Sequence, residues 1–319
     1  MGRTVLGTSG VEISRVVLGC GNIGGIGSPP ATRGHGNTPD EGYALIDHAV
    51  GLGVTVLDTA NSYAGGESER VVGQWVADHP DLGVLVETKV GNLAEEGQTS
   101  IDLSPEHIKR QVGASLGRLG RIDFYLSHAP DPDTPVQATL EAFAALVECG
   151  DIAAYGACNV SLDQMREAVV VAERLGITGY SWVQNEYNLL ARGDEAGLLP
   201  FLADHGLGFT PFSPLAGGVL AGRYRPGEPP PPGSRKAVLS EIVRDVDARM
   251  SAGLARLAHD AAEREVSMAG LAIAWVLSAQ GVSAALVAPR DSAQFVAVEE
   301  ALSLELDQAE WALVGSYFT

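Results

Sequence analysis

Eight short apolar runs rich in β-branched residues recur along the chain, and stretches of helical periodicity lie between them. The runs are RVVLGC from Arg15, VTVLDTA from Val54, GVLVETKV from Gly83, IDFYLSHA from Ile122, IAAYGACN from Ile152, YSWVQNEY from Tyr180, LGFTPFSP from Leu207 and SAALVAP from Ser283. Helices are expected to start near Pro39, Glu67, Pro105, Val136, Leu162 and Glu195, then near Asp247, Ser267 and Ser292. Two starts carry local signals: Thr38-Pro39-Asp40-Glu41 and Ser104-Pro105-Glu106-His107 each put a capping hydroxyl before proline at the first helical position. Ahead of the first run, RTVLGTSGVEIS reads as a hairpin turning at Thr8-Ser9-Gly10. Strands alternating with helices mean a parallel sheet. Eight units are what a closed TIM barrel needs. The expectation is an α/β fold, a (β/α)8 TIM barrel with an N-terminal β-hairpin and extra C-terminal helices. By count alone an open doubly wound sheet also satisfies the pattern.

One domain is expected over residues 1–319, because barrels of this length fold as a unit. The Pro/Gly-rich segment Gly222 to Asp245 interrupts the seventh unit, and helix–strand–helix units resume after it. It therefore reads as a lid or binding loop rather than a domain boundary.

Charge changes the picture next. A formal net charge of −19 repels phosphate backbones and anionic lipid, so neither nucleic acid nor a membrane surface is an expected partner. An anionic cofactor would need arginines placed locally against that field. Cys20, Cys149 and Cys158 form no disulfide framework, and the seven histidines show no metal-ligand spacing. The N-terminus lacks a basic stretch followed by an apolar run, and the most apolar segment, MAGLAIAWVLSA, is too short to span a bilayer. A cytoplasmic location is the expectation.

Gly19-Cys20-Gly21-Asn22-Ile23-Gly24 matches GxGxxG directly after the first run. In a dinucleotide-binding βαβ unit the third glycine opens a helix, and an acidic residue ends the next strand about 20 residues on. Here GIGSPPATRGHGN follows, which cannot start a helix, and Tyr43 and Ala44 stand where the acid belongs. The better reading is a flexible first βα loop.

Barrels do their chemistry at the C-terminal ends of their strands. Asp58, Lys89 and His128 end three consecutive strands, and Tyr63 lies in the loop after Asp58. A phenol with its ordinary pKa near 10 is a reluctant acid, and a nearby ammonium lowers that value. Asp58 would keep Lys89 charged, Lys89 would tune Tyr63, and His128 would hydrogen-bond a carbonyl oxygen. The set suits protonation of an alkoxide formed by hydride delivery.

At these residues the chain resembles the aldo-keto reductase family, in the branch that includes potassium-channel β subunits. DTANSYAGGESERVVG, VLVETKVG and DFYLSHAPDPDTP resemble its catalytic segments, and YGACNVS, VQNEYNLL, FSPLAGGVLAGRY and APRDSAQFVAVEEAL follow in order. The resemblance implies NADPH/NADP+ bound in extended form across the barrel mouth. It implies that Asn159 and Gln184 hold the carboxamide and that Phe212 stacks on the ring. It also puts Ser213, Pro214, Leu215 and Gly217 along the pyrophosphate with Arg223 nearby, Arg290 at the 2′-phosphate and Gln294 at the adenine. Three departures stand out: Cys158 replaces a serine, Ala288 a glycine, and Val298 an asparagine. Arg290 makes NADPH the expected cofactor over NADH.

The function expected from this is reversible reduction of an aldehyde or ketone to an alcohol, with hydride from nicotinamide and the proton from Tyr63. Two alternatives stay open. One is a cofactor-sensing binding module of the channel β-subunit type, against which the absence of a long extension before the hairpin counts. The other is a dedicated sugar or polyketide ketoreductase, whose cleft the loops Gly24–Asn37 and Gly222–Asp245 would frame, with Arg33 and His35 available to a substrate. The expected partner is a small carbonyl compound or alcohol, and a homo-oligomer is compatible with the sequence.

Overall fold

The computed structural model of the chain describes residues 1–95 and 98–319. All eight runs form strands, named here β1 (Val16–Gly19), β2 (Val56–Asp58), β3 (Leu85–Val90), β4 (Phe124–Ser127), β5 (Ala154–Cys158), β6 (Trp182–Gln184), β7 (Gly208–Phe209) and β8 (Ala285–Val287). They pair in parallel in chain order, and β8 returns to pair with β1. Most begin later than the apolar runs do. Val54, Val84, Ile122 and Ile152 are buried in the layer under the helices before their ladders start.

The ring closes between β7 and β8. Ser283 N donates to Phe209 O at 2.8 Å and Leu286 N to Pro211 O at 2.9 Å. Pro211 has no N–H to return a bond, so this seam is half a ladder. Arg15 supplies the missing donor: its Nη1 reaches Ser283 O at 3.0 Å and Val282 O at 2.8 Å. A side chain thus completes the barrel where the backbone cannot.

Helices Pro39–Gly51, Glu67–Asp78, Pro105–Leu119, Val136–Cys149 and Leu162–Leu175 start where expected. Thr38 makes a full capping box with Glu41, and Ser104 accepts from His107 N. The start expected at Glu195 is a 3-10 turn, Gly193–Ala196, and the helix itself is Leu198–Asp204. Among the described residues five more helices follow: the short Arg235–Val238, then Ala248–Glu263, Met268–Ser278, Val296–Ser303 and Gln308–Gly315. A hairpin after β3, Asn92–Glu95 with Gln98–Ile101, was not expected.

The N-terminal hairpin (Arg3–Val5 with Glu12–Ser14) plugs the bottom of the barrel. Gly7 has φ 48°, and a Cβ there would meet Ser181 O at 1.9 Å, so only glycine fits. Leu6 above it joins Val17, Val56, Phe124 and Trp182 in an apolar interior layer. With that end filled, polar interior residues collect at the other. Among the described residues no helix is long and apolar enough to cross a membrane, and no cluster of His, Cys, Asp and Glu is arranged to hold a metal ion.

Candidate active site

Strand register builds the centre of the site. Asp58 on β2 stands opposite Glu87 on β3, and Cys158 on β5 opposite Gln184 on β6. Side chains alternate along a strand, so Lys89 shares the inward face with Glu87. Lys89 Nζ lies 2.6 Å from Asp58 Oδ1, 2.5 Å from Oδ2 and 3.0 Å from Thr59 O. Both side chains are buried. Burial works against the ammonium, but Asp58, with smaller help from Tyr63, Cys158 and Glu87, more than offsets it and lifts Lys89 above the usual lysine range. Lys89 is therefore a fixed positive charge.

Tyr63 is delivered by the 3-10 turn Tyr63–Gly66 ahead of the helix at Glu67. Asn61 N donates to Lys89 O at 3.1 Å, which ties this loop to β3. Gly21 in the first loop leaves room for the phenol, since a Cβ there would meet the Tyr63 ring at 3.2 Å. Lys89 Nζ stands 5.2 Å from the ring centroid. The expected tuning needs correction. Burial, with Asp58 and Cys158, raises the Tyr63 pKa, and the charge and hydrogen bond of Lys89 only partly offset it. The phenol thus keeps its proton at neutral pH, and the ammonium moderates the cost of giving it up.

His128 follows β4, its ring edge-on to Tyr63 at 5.6 Å and 80°. Burial and the Lys89 charge push its pKa down to about 3, so the imidazole is neutral. Among the described residues its buried Nδ1 has no partner. A proton on Nε2 is the arrangement that lets the ring donate into the cavity. Asn159, held at φ 57°, donates from Nδ2 to His128 O at 2.8 Å, which fixes the turn after β5 against the turn after β4.

Gln184 Nε2 donates to Asp58 Oδ2 at 3.1 Å and Glu87 Oε1 at 2.7 Å. Cys158 Sγ, where a serine was the expected residue, approaches Gln184 Oε1 at 3.6 Å. Past β7 the chain coils through Ser213, Ala216 and Gly217, all at positive φ. Gln294 Oε1 accepts from Arg290 N at 3.1 Å. The Arg290 guanidinium bonds Gly233 O, and reaches His35 O at 3.4 Å, so it fastens the 222–245 segment to the first loop.

One cavity of about 610 Å³ is lined by all of these predicted residues: Asp58, Tyr63, Lys89, His128, Asn159, Gln184, Phe212, Ser213, Pro214, Leu215, Gly217, Arg223, Arg290 and Gln294. Its lining combines a proton donor and an amide with guanidinium groups, the chemistry that an anionic ligand needs. GxGxxG contributes as backbone close to Tyr63, through Gly19, Gly21 and Asn22. Between it and the α-helix at Pro39 lies one 3-10 turn, Pro30–Thr32.

The profile of the Aldo/keto reductase family matches residues 15–317. The chain belongs to the aldo/keto reductase family. Relatives include a probable voltage-gated potassium channel subunit beta from Oryza sativa subsp. japonica, 33% identical over 94% of this chain and 90% of that protein. An NADH-specific methylglyoxal reductase from Escherichia coli (strain K12) is 32% identical over 98% of this chain and 97% of that one. Among solved structures, a glycerol dehydrogenase from Gluconobacter oxydans superposes with a TM-score of 0.81 at 27% identity, covering 96% of this chain and 92% of its own.

Two residues of this aldo/keto reductase's cavity region escaped the sequence reading. Arg235 lines the cavity from the short helix Arg235–Val238 within the 222–245 segment. Glu87 is buried beneath Lys89. The signal for Glu87 was present, because a residue two before an inward lysine on a strand must also face inward.

Proposed function

We propose that this aldo/keto reductase is an NADPH-dependent carbonyl reductase, converting an aldehyde or ketone to an alcohol and able to run in reverse. The observation that carries the reading is the lining of one cavity by Tyr63, Lys89, Asp58 and His128 together with the residues expected to hold the cofactor. A nicotinamide bound between Phe212 and Gln184 would supply hydride to the carbonyl carbon. The protein does the rest. Neutral His128 donates to the carbonyl oxygen and aims it at Tyr63. As negative charge develops on that oxygen, Tyr63 gives up its proton, and the fixed ammonium of Lys89 stabilises the phenolate left behind. Asp58 holds that ammonium in place.

NADPH is favoured over NADH by the Arg290 guanidinium, the group expected at the 2′-phosphate, which lines the cavity of a chain with net charge −19. A phosphate offers Arg290 charge-assisted bonds in place of two neutral carbonyls. Support for the opposite preference comes from the NADH-specific relative, so the two cofactors must be compared directly. The partner is a small carbonyl compound or alcohol, and the site of action the cytoplasm.

Similarity to a channel β subunit favours a second reading, a cofactor-sensing docking module. The test is consumption of NADPH, and separately NADH, across a panel of aldehydes, ketones and quinones. Turnover that prefers NADPH supports the reductase. Tight cofactor binding with no turnover on any compound favours the module.

A further inference from the structure

Glu87 has no part in the mechanism above, yet it is buried in the same interior layer as the groups that do. Its strand register places its carboxyl beside that of Asp58, with both pointing into the barrel. One ammonium, Lys89, serves the pair. Two carboxylates opposite each other would leave an uncompensated buried charge. The neighbouring groups on other elements are Asp58 from β2, Cys158 from β5, Gln184 from β6 and Tyr63 from the loop after β2, and none of them adds a positive charge. Burial, and then Asp58, push Glu87 well above the usual carboxylate range. The neutral acid donates its proton to Asp58 and keeps one oxygen as an acceptor.

That oxygen has a partner. Gln184 Nε2 carries two hydrogens; one goes to Asp58 Oδ2 at 3.1 Å and the other to Glu87 Oε1 at 2.7 Å. Both amide hydrogens are thereby used, and the amide cannot turn over without breaking both bonds. Among the described residues Gln184 Oε1 meets only the weak donor Cys158 Sγ, at 3.6 Å, and retains a free lone pair where Gln184 lines the cavity.

The geometry points to Glu87 as a positioning residue: with Asp58 it locks the Gln184 amide so that its oxygen faces the cavity and accepts from the amine of a nicotinamide carboxamide. The inference rests on the cofactor reading proposed above. It assigns cofactor recognition to a residue that touches neither cofactor nor substrate.

The test is equilibrium binding of NADP+ and its 3-acetylpyridine analogue, followed by quenching of tryptophan fluorescence. The acetyl group keeps the carbonyl and lacks the amine. Wild-type protein should bind the analogue roughly tenfold more weakly, the effect of one lost hydrogen bond to a buried acceptor. Glu87→Gln still offers an N–H to Asp58 and an acceptor oxygen to Gln184, and should keep that ratio within about threefold. Glu87→Leu frees one Gln184 hydrogen, lets the amide turn its NH2 to the ligand, and should bring the ratio close to one. A general loss of structure would weaken both ligands alike and leave the ratio unchanged. An unchanged ratio in Glu87→Leu, or a wild-type ratio of one, overturns the inference while the reductase reading stands. If Glu87→Leu does not fold, the wild-type ratio and its retention in Glu87→Gln decide, and loss of either overturns it. Wild-type protein that binds neither NADP+ nor NAD+ overturns the proposed function and this inference together.

Discussion

Lys89 Nζ sits within 2.6 Å of both carboxylate oxygens of Asp58, in a part of the barrel that solvent does not reach. The pair is worth little as a source of net stability, because desolvating two charges costs about what their attraction returns. Its value lies in fixing a positive charge next to a phenol.

Breaking the pair from one side should therefore be severe. Asp58→Asn removes the carboxylate bonded to the buried ammonium and leaves Glu87 to ionise in its place, and the expected loss is up to about 3–5 kcal/mol of folding stability. Urea unfolding measures it. Turnover should fall as well, because Lys89 is no longer held in place.

The neutrality of His128 has a pH signature. Its pKa is lowered by burial to about 3, against an ordinary value near 6.5 in an unfolded chain. Below about pH 6.5 the unfolded chain takes up this proton and the folded protein does not. The stability associated with neutral His128 is complete above about 6.5 and declines as pH falls towards 3, by up to about 1.4 kcal/mol per pH unit. Unfolding free energies of wild type and His128→Asn, compared over that window, should show the steeper acid slope in wild type.

Arg290 should sort the cofactors. Arg290→Leu removes a charge-assisted contact to the 2′-phosphate, so NADPH affinity should fall roughly tenfold or more, while NADH binding changes little. Isothermal titration with each cofactor reads both numbers. Equal loss for the two would assign the guanidinium to fastening the 222–245 segment through Gly233 instead.

How much of this was legible in the sequence follows from where the information lies. β-branched runs bounded by polar segments announced all eight strands, because each buries one face against helices and the other inside the barrel. Proline at 211 was visible, but its consequence was not. That Pro211 cannot donate a backbone bond back across the β7–β8 seam, and that Arg15 just before β1 supplies a donor there, depends on two segments far apart in sequence meeting in space. The hairpin Asn92–Ile101 was missed because its strands lack the apolar alternation that marks a half-buried strand. At the site, Asp58, Tyr63, Lys89 and His128 were readable as reactive types at strand ends. Glu87 was passed over as an ordinary strand residue, although its spacing from Lys89 gave it the same face. The direction of the Tyr63 shift was misjudged because the attraction of Lys89 was weighed without the burial that opposes it.

Tyr63→Phe tests the central claim most directly, in single-turnover reduction of whichever carbonyl compound the wild-type protein accepts. The variant should bind NADPH as wild type does and lose about 10²- to 10⁴-fold in rate, the range supplied by a positioned general acid. A variant that binds cofactor and turns over at the wild-type rate would contradict the account.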